Sequence, residues 1–343
     1  MRPSARAISL TVVSLAVVLV TTLLIWVAWD ATASDPQTTL DPRSDNTESI
    51  QSVYTLITIL AGVVMVGVLT LTLAFSVVFR ERPGRQALQI HGNSRLEVFW
   101  TLIPVIIVVV IAIPSFQAII DTTADAPDDS IQVVATGNQW WFEFEYPELG
   151  VITANELHIP VGVPVNVLLK SDDVIHSFWI PQLVGKVDMV PGHNNKTWFT
   201  PDEEGMFLGQ CAEFCGTSHA NMRFRVFVDS QADFDAWVAA QAADAVPASG
   251  DLAAAGEALF TARGCVGCHT IRGKQGAVGQ AGPDLTHLAS RDTIAAGILD
   301  NTTEDLKTWL SNPPGVKPGS KMPNLKLTAD DIDQLIAYLQ GLD

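Results

Sequence analysis

The chain of 343 residues is long enough for two or three domains, and 48% hydrophobic against 17% charged residues, at a mean hydropathy of +0.26, is too apolar for an ordinary soluble protein of this size. Part of it therefore belongs in lipid. A formal net charge of -17 offers no basic surface to a polyanion, and no nucleic-acid partner is expected.

Ile8 to Trp29 follows Arg2 and Arg6 and precedes Ala31-Thr32-Ala33. A basic start, an apolar centre and a small-x-small site stand in the order of a secretory signal, so residues 1–33 read as a signal peptide; the run is also long enough for an uncleaved anchor. Val53 to Phe79 and Val98 to Ile120 each suffice for a membrane span at ~20 residues, giving a helical hairpin over residues 50–120. Arg80, Arg82, Arg85 and Arg95 lie between them. The outer flanks are acidic, with Asp41, Asp45 and Glu48 before and Asp121, Asp125, Asp128 and Asp129 after. The positive-inside rule places the Arg-rich loop in the cytoplasm and everything from Asp121 onward outside.

In Phe142-Glu143-Phe144-Glu145-Tyr146 and Met222-Arg223-Phe224-Arg225-Val226, apolar and charged residues alternate with period two, the pattern of half-buried strands. Short apolar runs recur between Pro and Gly punctuation, which predicts an all-β sandwich or barrel over residues 131–229. The Ala-rich stretch 239–251, with Pro247 and Gly250, reads as a linker. Beyond it Leu252 to Ala262, Thr303 to Ser311 and Thr328 to Leu339 read as helices, the last opening on the capping box Thr328-x-x-Asp331. Loops rich in Gly and Pro separate them. A small helical domain of this kind, residues 252–343, can be held together by a cofactor at its centre.

Cys265-x-x-Cys268-His269 is the attachment run of a c-type haem; the adjacent His and the lack of a βαβ context argue against a thioredoxin-like pair. An iron held by His269 needs a sixth ligand. Met322, in Lys321-Met322-Pro323 on a loop, is the first candidate and His287 the second. Met/His ligation raises the potential, which suits delivery to an oxidising partner, whereas the bland alternative makes Met322 a core filler.

Cys211-x-Glu213-x-Cys215-x3-His219-x2-Met222 packs two thiols, an imidazole and a thioether into twelve residues, a soft set that favours copper. A Cys211/Cys215 disulfide and a structural zinc with His219 are the alternatives. The first leaves His219 and Met222 without a purpose at these offsets, and zinc rarely recruits a thioether. A two-copper site would still lack one imidazole. His176, in His176-Ser177-Phe178-Trp179 at a strand start, can supply it or can be a hydrogen-bonded core histidine.

Taken together, these segments resemble subunit II of cytochrome c oxidase, in the variant with a cytochrome c domain fused at the C-terminus. The resemblance is carried by Glu97-Val98-Phe99-Trp100-Thr101-Leu102-Ile103-Pro104, Gly137-Asn138-Gln139-Trp140-Trp141, His176-Ser177-Phe178-Trp179 and Gln210-Cys211-Ala212-Glu213-Phe214-Cys215-Gly216 with His219 and Met222. It implies a two-helix transmembrane hairpin, a cupredoxin-like sandwich and a small all-α class I cytochrome c domain. It also implies a dinuclear copper A centre held by His176, Cys211, Cys215, His219, Met222 and the backbone carbonyl of Glu213, with haem c on Cys265, Cys268, His269 and Met322.

By the same resemblance, Trp140 is the exposed aromatic where electrons enter, the Glu213 side chain reaches a magnesium shared with subunit I, and Glu97 sits at the mouth of a proton pathway. Lys186 and Asp188 match a segment near the haem propionates of subunit I, while His193 stands where several relatives carry Arg. The implied partners are oxidase subunits I and III, an upstream donor such as a cytochrome c or a quinol-cytochrome c reductase, and membrane lipid. The implied setting is the bacterial cell membrane, with the copper and haem domains on its outer face. The expected activity is electron transfer through the haem and copper A to subunit I, where oxygen is reduced with proton pumping. The alternative is a membrane-anchored haem and copper carrier that works without an oxidase.

Overall fold

The computed structural model describes residues 16–27, 35–80, 83–84 and 91–343. The proposed cleavage site at Ala33 and the loop arginines Arg82 and Arg85 lie outside the described residues; of the signal-peptide reading, only an apolar helix, α1 (Ala16–Val27), is described.

Helix α2 (Asp45–Val78) has 34 residues and helix α3 (Ser94–Thr123) has 30, with mean hydropathies of 2.5 and 2.7 in their most apolar windows. At 1.5 Å per residue α2 reaches about 51 Å, well beyond a hydrocarbon core of ~30 Å, so both helices outrun the spans read from hydropathy. Much of the excess in α2 is the segment 45–52 ahead of Val53, about two turns that begin with a polar first turn. Thr47 Oγ1 donates to Gln182 O at 2.8 Å and Asn46 Nδ2 to Trp198 O at 3.3 Å, which ties that turn to the β domain. Asn93 caps α3 by accepting from Leu96 N at 3.2 Å, and Glu97 accepts from Asn93 N at 3.1 Å.

Ten strands form the sandwich: β1 (Ile131–Asn138), β2 (Trp141–Tyr146), β3 (Val151–Ala154), β4 (Glu156–Pro160), β5 (Val165–Ser171), β6 (His176–Ile180), β7 (Val184–Met189), β8 (Asn195–Phe199), β9 (Gly205–Cys211) and β10 (Arg223–Asp229). One five-stranded sheet has the order β3-β2-β1-β5-β8 and the other β4-β10-β9-β6-β7. The β1/β5 and β10/β4 pairs are parallel and the remainder antiparallel, the mixed arrangement of a cupredoxin-like sandwich. The period-two pattern holds: Phe142, Phe144 and Tyr146 of β2 point inward while Glu143 and Glu145 remain half-exposed. Phe224 of β10 gathers the core, with ring centroids 4.7 Å from Phe142, 5.1 Å from Phe178 and 5.5 Å from Phe144.

Helix α4 (Gln231–Ala242) follows β10 and belongs to the sandwich. Trp237 lies edge-on to Tyr146 at 5.5 Å and stacks on His158 at 4.4 Å. The stretch read as a linker from 239 to 251 is thus the last turn of α4 followed by residues 243–250. Arg272 of the next domain caps that turn, donating to the carbonyls of Gln241, Ala242 and Ala243.

The C-terminal domain holds α5 (Asp251–Ala262), a short β11/β12 ribbon (Thr293–Ile294, Leu299–Asp300), α6 (Thr303–Ser311), α7 (Pro313–Val316) and α8 (Ala329–Leu339). Thr328 and Asp331 form the expected capping box on α8. Helices α5 and α8 cross so closely at Gly256 that a Cβ there would lie 2.0 Å from Gln334 O, and Phe260 meets Tyr338 edge-on at 5.8 Å beside the crossing.

Candidate functional site

The copper-type donors converge at one end of the sandwich. Cys211 ends β9, Arg223 opens β10, and the loop between them is closed at its base by Cys211 N donating to Met222 O at 2.9 Å. Ala212 N donates to Ser177 O at 3.1 Å, which brings the start of β6, and with it His176, beside the loop. Sγ of Cys211 and Sγ of Cys215 are 3.7 Å apart, far beyond the ~2.05 Å of a disulfide, and all cysteines are free thiols. Around them stand His176 Nδ1 at 3.9 Å from Cys211, His219 Nδ1 at 3.6 Å and Met222 Sδ at 3.9 Å from Cys215, and the Glu213 carbonyl at 3.2 Å from Cys211. The ligand atoms of His176, Cys211 and Cys215 lie within 4.8 Å of one another, so a soft metal fits this donor set without rearrangement.

The two thiols share one proton, which a metal bound by both sulfurs would displace. Cys215 donates to Cys211 and holds its thiol far below the ordinary range, while the same sharing pushes Cys215 up. Burial opposes charge on His176, yet its bonds to Cys211 and Asp173 outweigh burial and leave its pKa raised. Nε2 of His176 is 2.8 Å from Asp173 Oδ1, which leaves Nδ1 facing the thiols. Asp173 itself is held below its usual range: burial opposes this, but His176 and the Gln139 and Val174 amides prevail.

In the C-terminal domain Cys265, Cys268, His269 and Met322 line one cavity with Leu285 and Trp309. A 3-10 turn at Cys265–Gly267 bends the chain so that His269 N donates to Cys265 O at 3.0 Å. His269 Nδ1 donates to Pro283 O at 2.7 Å, freeing Nε2 for a metal, and burial lowers its pKa, which favours the neutral ring a metal ligand requires. The residues fit a haem c. His287, the second candidate for the sixth position, is not on the cavity wall; its Nε2 lies 3.0 Å from Ala243 O.

Between the two groups stands Trp140. Its indole Nε1 donates to Cys215 O at 3.1 Å, and its ring forms part of the wall of the cavity lined by His269 and Met322. Only 8% of its surface is exposed, because the helical domain covers it; a Cβ on Gly319 would lie 2.7 Å from Trp140 Cη2. The exposed aromatic implied by the family resemblance is thus buried in this chain, since a second domain rests on it.

The covering interface is built from residues that motif reading passed over. Lys317, 5% exposed, donates to Trp140 O at 2.6 Å and to Ala295 O at 2.9 Å, and burial pulls its pKa down to about 7. Glu156 of β4 is buried and accepts from Thr293 N at 2.8 Å and Thr293 Oγ1 at 2.9 Å; burial is the main reason its pKa is raised. No local spacing marks these residues, since their partners across the interface are more than a hundred positions away. Glu97 lies in the first turn of α3, and the Glu213 carboxylate pairs with Lys186 Nζ at 2.9 Å.

Comparison with known proteins covers all three parts of the chain. Residues 37–118 match the transmembrane domain and residues 150–229 the periplasmic domain of cytochrome c oxidase subunit II, and residues 253–343 match cytochrome c. Cytochrome c oxidase subunit 2 of Alkalihalophilus pseudofirmus is 36% identical over 313 residues, covering 89% of this chain and 90% of that protein. The corresponding proteins of Bacillus sp. (strain PS3) and Bacillus subtilis are 38% identical over 285 residues and 35% over 283, covering 80% and 79% of their lengths. The chain belongs to the cytochrome c oxidase subunit II family, in the form that carries a cytochrome c domain at its C-terminus.

Proposed function

We propose that this membrane-anchored oxidase subunit takes electrons at the haem domain and passes them through the copper loop to subunit I, where oxygen is reduced to water with proton pumping. His176, Cys211, the Glu213 carbonyl, Cys215, His219 and Met222 would hold two coppers, and Cys265, Cys268, His269 and Met322 would hold the haem. When bound, copper in this soft donor set would supply one-electron storage, and a haem c held by His269 and Met322 would supply a high-potential one-electron centre.

The chain's own residues position these groups. The observation that carries the reading is Trp140, whose indole touches the copper loop at Cys215 O while its ring forms part of the wall of the haem cavity. Lys317 and Glu156 hold the haem domain on that tryptophan through buried polar bonds that a freely swinging domain would not make. The donor, a cytochrome c or a quinol-cytochrome c reductase, would meet the haem domain and not Trp140. Glu213, on the copper loop with its carboxylate beside Lys186 of β7, would reach a magnesium shared with subunit I, and Glu97 would open a proton path there. The arginine-rich segment between the spans, with Arg80 and Arg95, would face the cytoplasm and residues from Asp121 onward the outer side.

Purification of the full-length protein in mild detergent tests the reading. It should yield two coppers and one covalent haem per chain together with a larger haem-bearing subunit. Zinc in place of copper, one copper per chain, or a chain that purifies without any haem-bearing partner would each count against it.

A further inference from the structure

Asp173 is shared between the two domains. Its Oδ1 lies 2.8 Å from Nε2 of His176, while its Oδ2 lies 3.0 Å from Nζ of Lys321, the residue that precedes Met322. The carboxylate does not depend on Lys321 for its orientation. Gln139 N donates to Oδ2 and Val174 N to Oδ1, each at 2.7 Å, and both belong to the sandwich. Lys321 therefore adds charge to a carboxylate that is already fixed.

An ionised carboxylate on Nε2 makes an imidazole a stronger donor through Nδ1 and so favours the more positive state of a metal held there. A lysine on the far oxygen withdraws part of that effect. We propose that Lys321 sets the potential of the copper pair through Asp173 and His176, raising it only while the haem domain is seated, so that the copper loop becomes a better electron acceptor when its donor is in place. This rests on the copper reading of His176 given above. Lys321 and Asp173 are positioning residues, because neither touches the metal. The Lys321 side chain is 58% exposed, so the effect is modest: loss of its charge should reduce the equilibrium constant for haem-to-copper transfer by roughly two- to five-fold, the worth of a partly solvated ion pair.

The test uses the full chain carrying copper and haem, with copper titrated by its electron paramagnetic resonance signal and haem by its optical band. Lys321→Gln should lower the copper potential, and Lys321→Arg should restore it. Asp173→Asn should raise the potential and remove any further effect of Lys321→Gln, as a double-mutant cycle requires of a charge acting through Asp173. An unchanged copper potential in Lys321→Gln, or an equal shift in the Asp173→Asn background, would overturn the proposal. A wild-type chain that binds no copper would instead overturn the assignment of the site.

Discussion

Lys317 of the haem domain ends 2.6 Å from the backbone carbonyl of Trp140 in the copper domain, so an amine from one fold is buried against the residue that borders both centres. A buried amine with two carbonyl acceptors and, among the described residues, no carboxylate in salt-bridge contact is costly unless the surrounding contacts are held firmly. The pair therefore marks a seated interface.

Removing that amine should loosen the seat. Lys317→Ala leaves the Trp140 and Ala295 carbonyls unpaired at a cost of about 1–3 kcal/mol each, which limited proteolysis should detect as faster cutting within residues 243–250.

The same lysine predicts a pH dependence of its own. Its seated pKa of about 7 lies below the ordinary lysine value, so between the two the unseated state binds the extra proton, and stability of the seated state rises with pH across that window. Below pH ~7 both states are protonated and the gain is absent. Protease resistance measured from pH 6 to 10 should climb in the wild type and stay flat in Lys317→Met.

Met222→Leu should keep both coppers but shift their potential and slow transfer, because a thioether is the weak ligand of such a site while both thiols and both imidazoles remain. Copper content and the redox titration check this together. Complete loss of copper would show that Met222 helps to hold the metal.

Cys268→Ala should abolish stable covalent attachment and strongly destabilise the helical domain, whose core surrounds the cavity. Copper should remain, since every donor to it comes from β6 and the β9–β10 loop. Metal analysis of the haem-free protein gives the answer; joint loss of haem and copper would make the two folds one cooperative unit.

Truncation after Ala242, which keeps Trp237 packed on Tyr146, should preserve copper binding and oxidase assembly while uncovering Trp140. Turnover should then depend on added soluble cytochrome c. A cut after Asp229 should do the same but also lower the melting temperature, because α4 and its aromatic contacts are lost. Full respiration from the native donor without added carrier would place the fused haem off the main path.

Much of this protein was legible because its chemistry is local. Cys211 to Met222 lies on one loop and Cys265 to His269 on one turn, so ligand spacing in the chain is nearly ligand spacing in space. Apolar runs and period-two alternation likewise marked the helices and strands, since burial on one face imposes them residue by residue.

His176 was different. It joins the thiols only because β6 pairs with β9, a register that no single segment carries, and residue chemistry left it between a ligand and a core histidine until the family resemblance favoured the ligand. The interface lay beyond both routes: Lys317 on Trp140, Glu156 under Thr293 and Lys321 on Asp173 each join residues more than a hundred positions apart. Such contacts depend on how two finished cores meet. That is why local ligand spacing could point to copper-type and haem-type sites, while only the packing of one domain on the other covers Trp140 and sets it between the copper loop and the haem cavity.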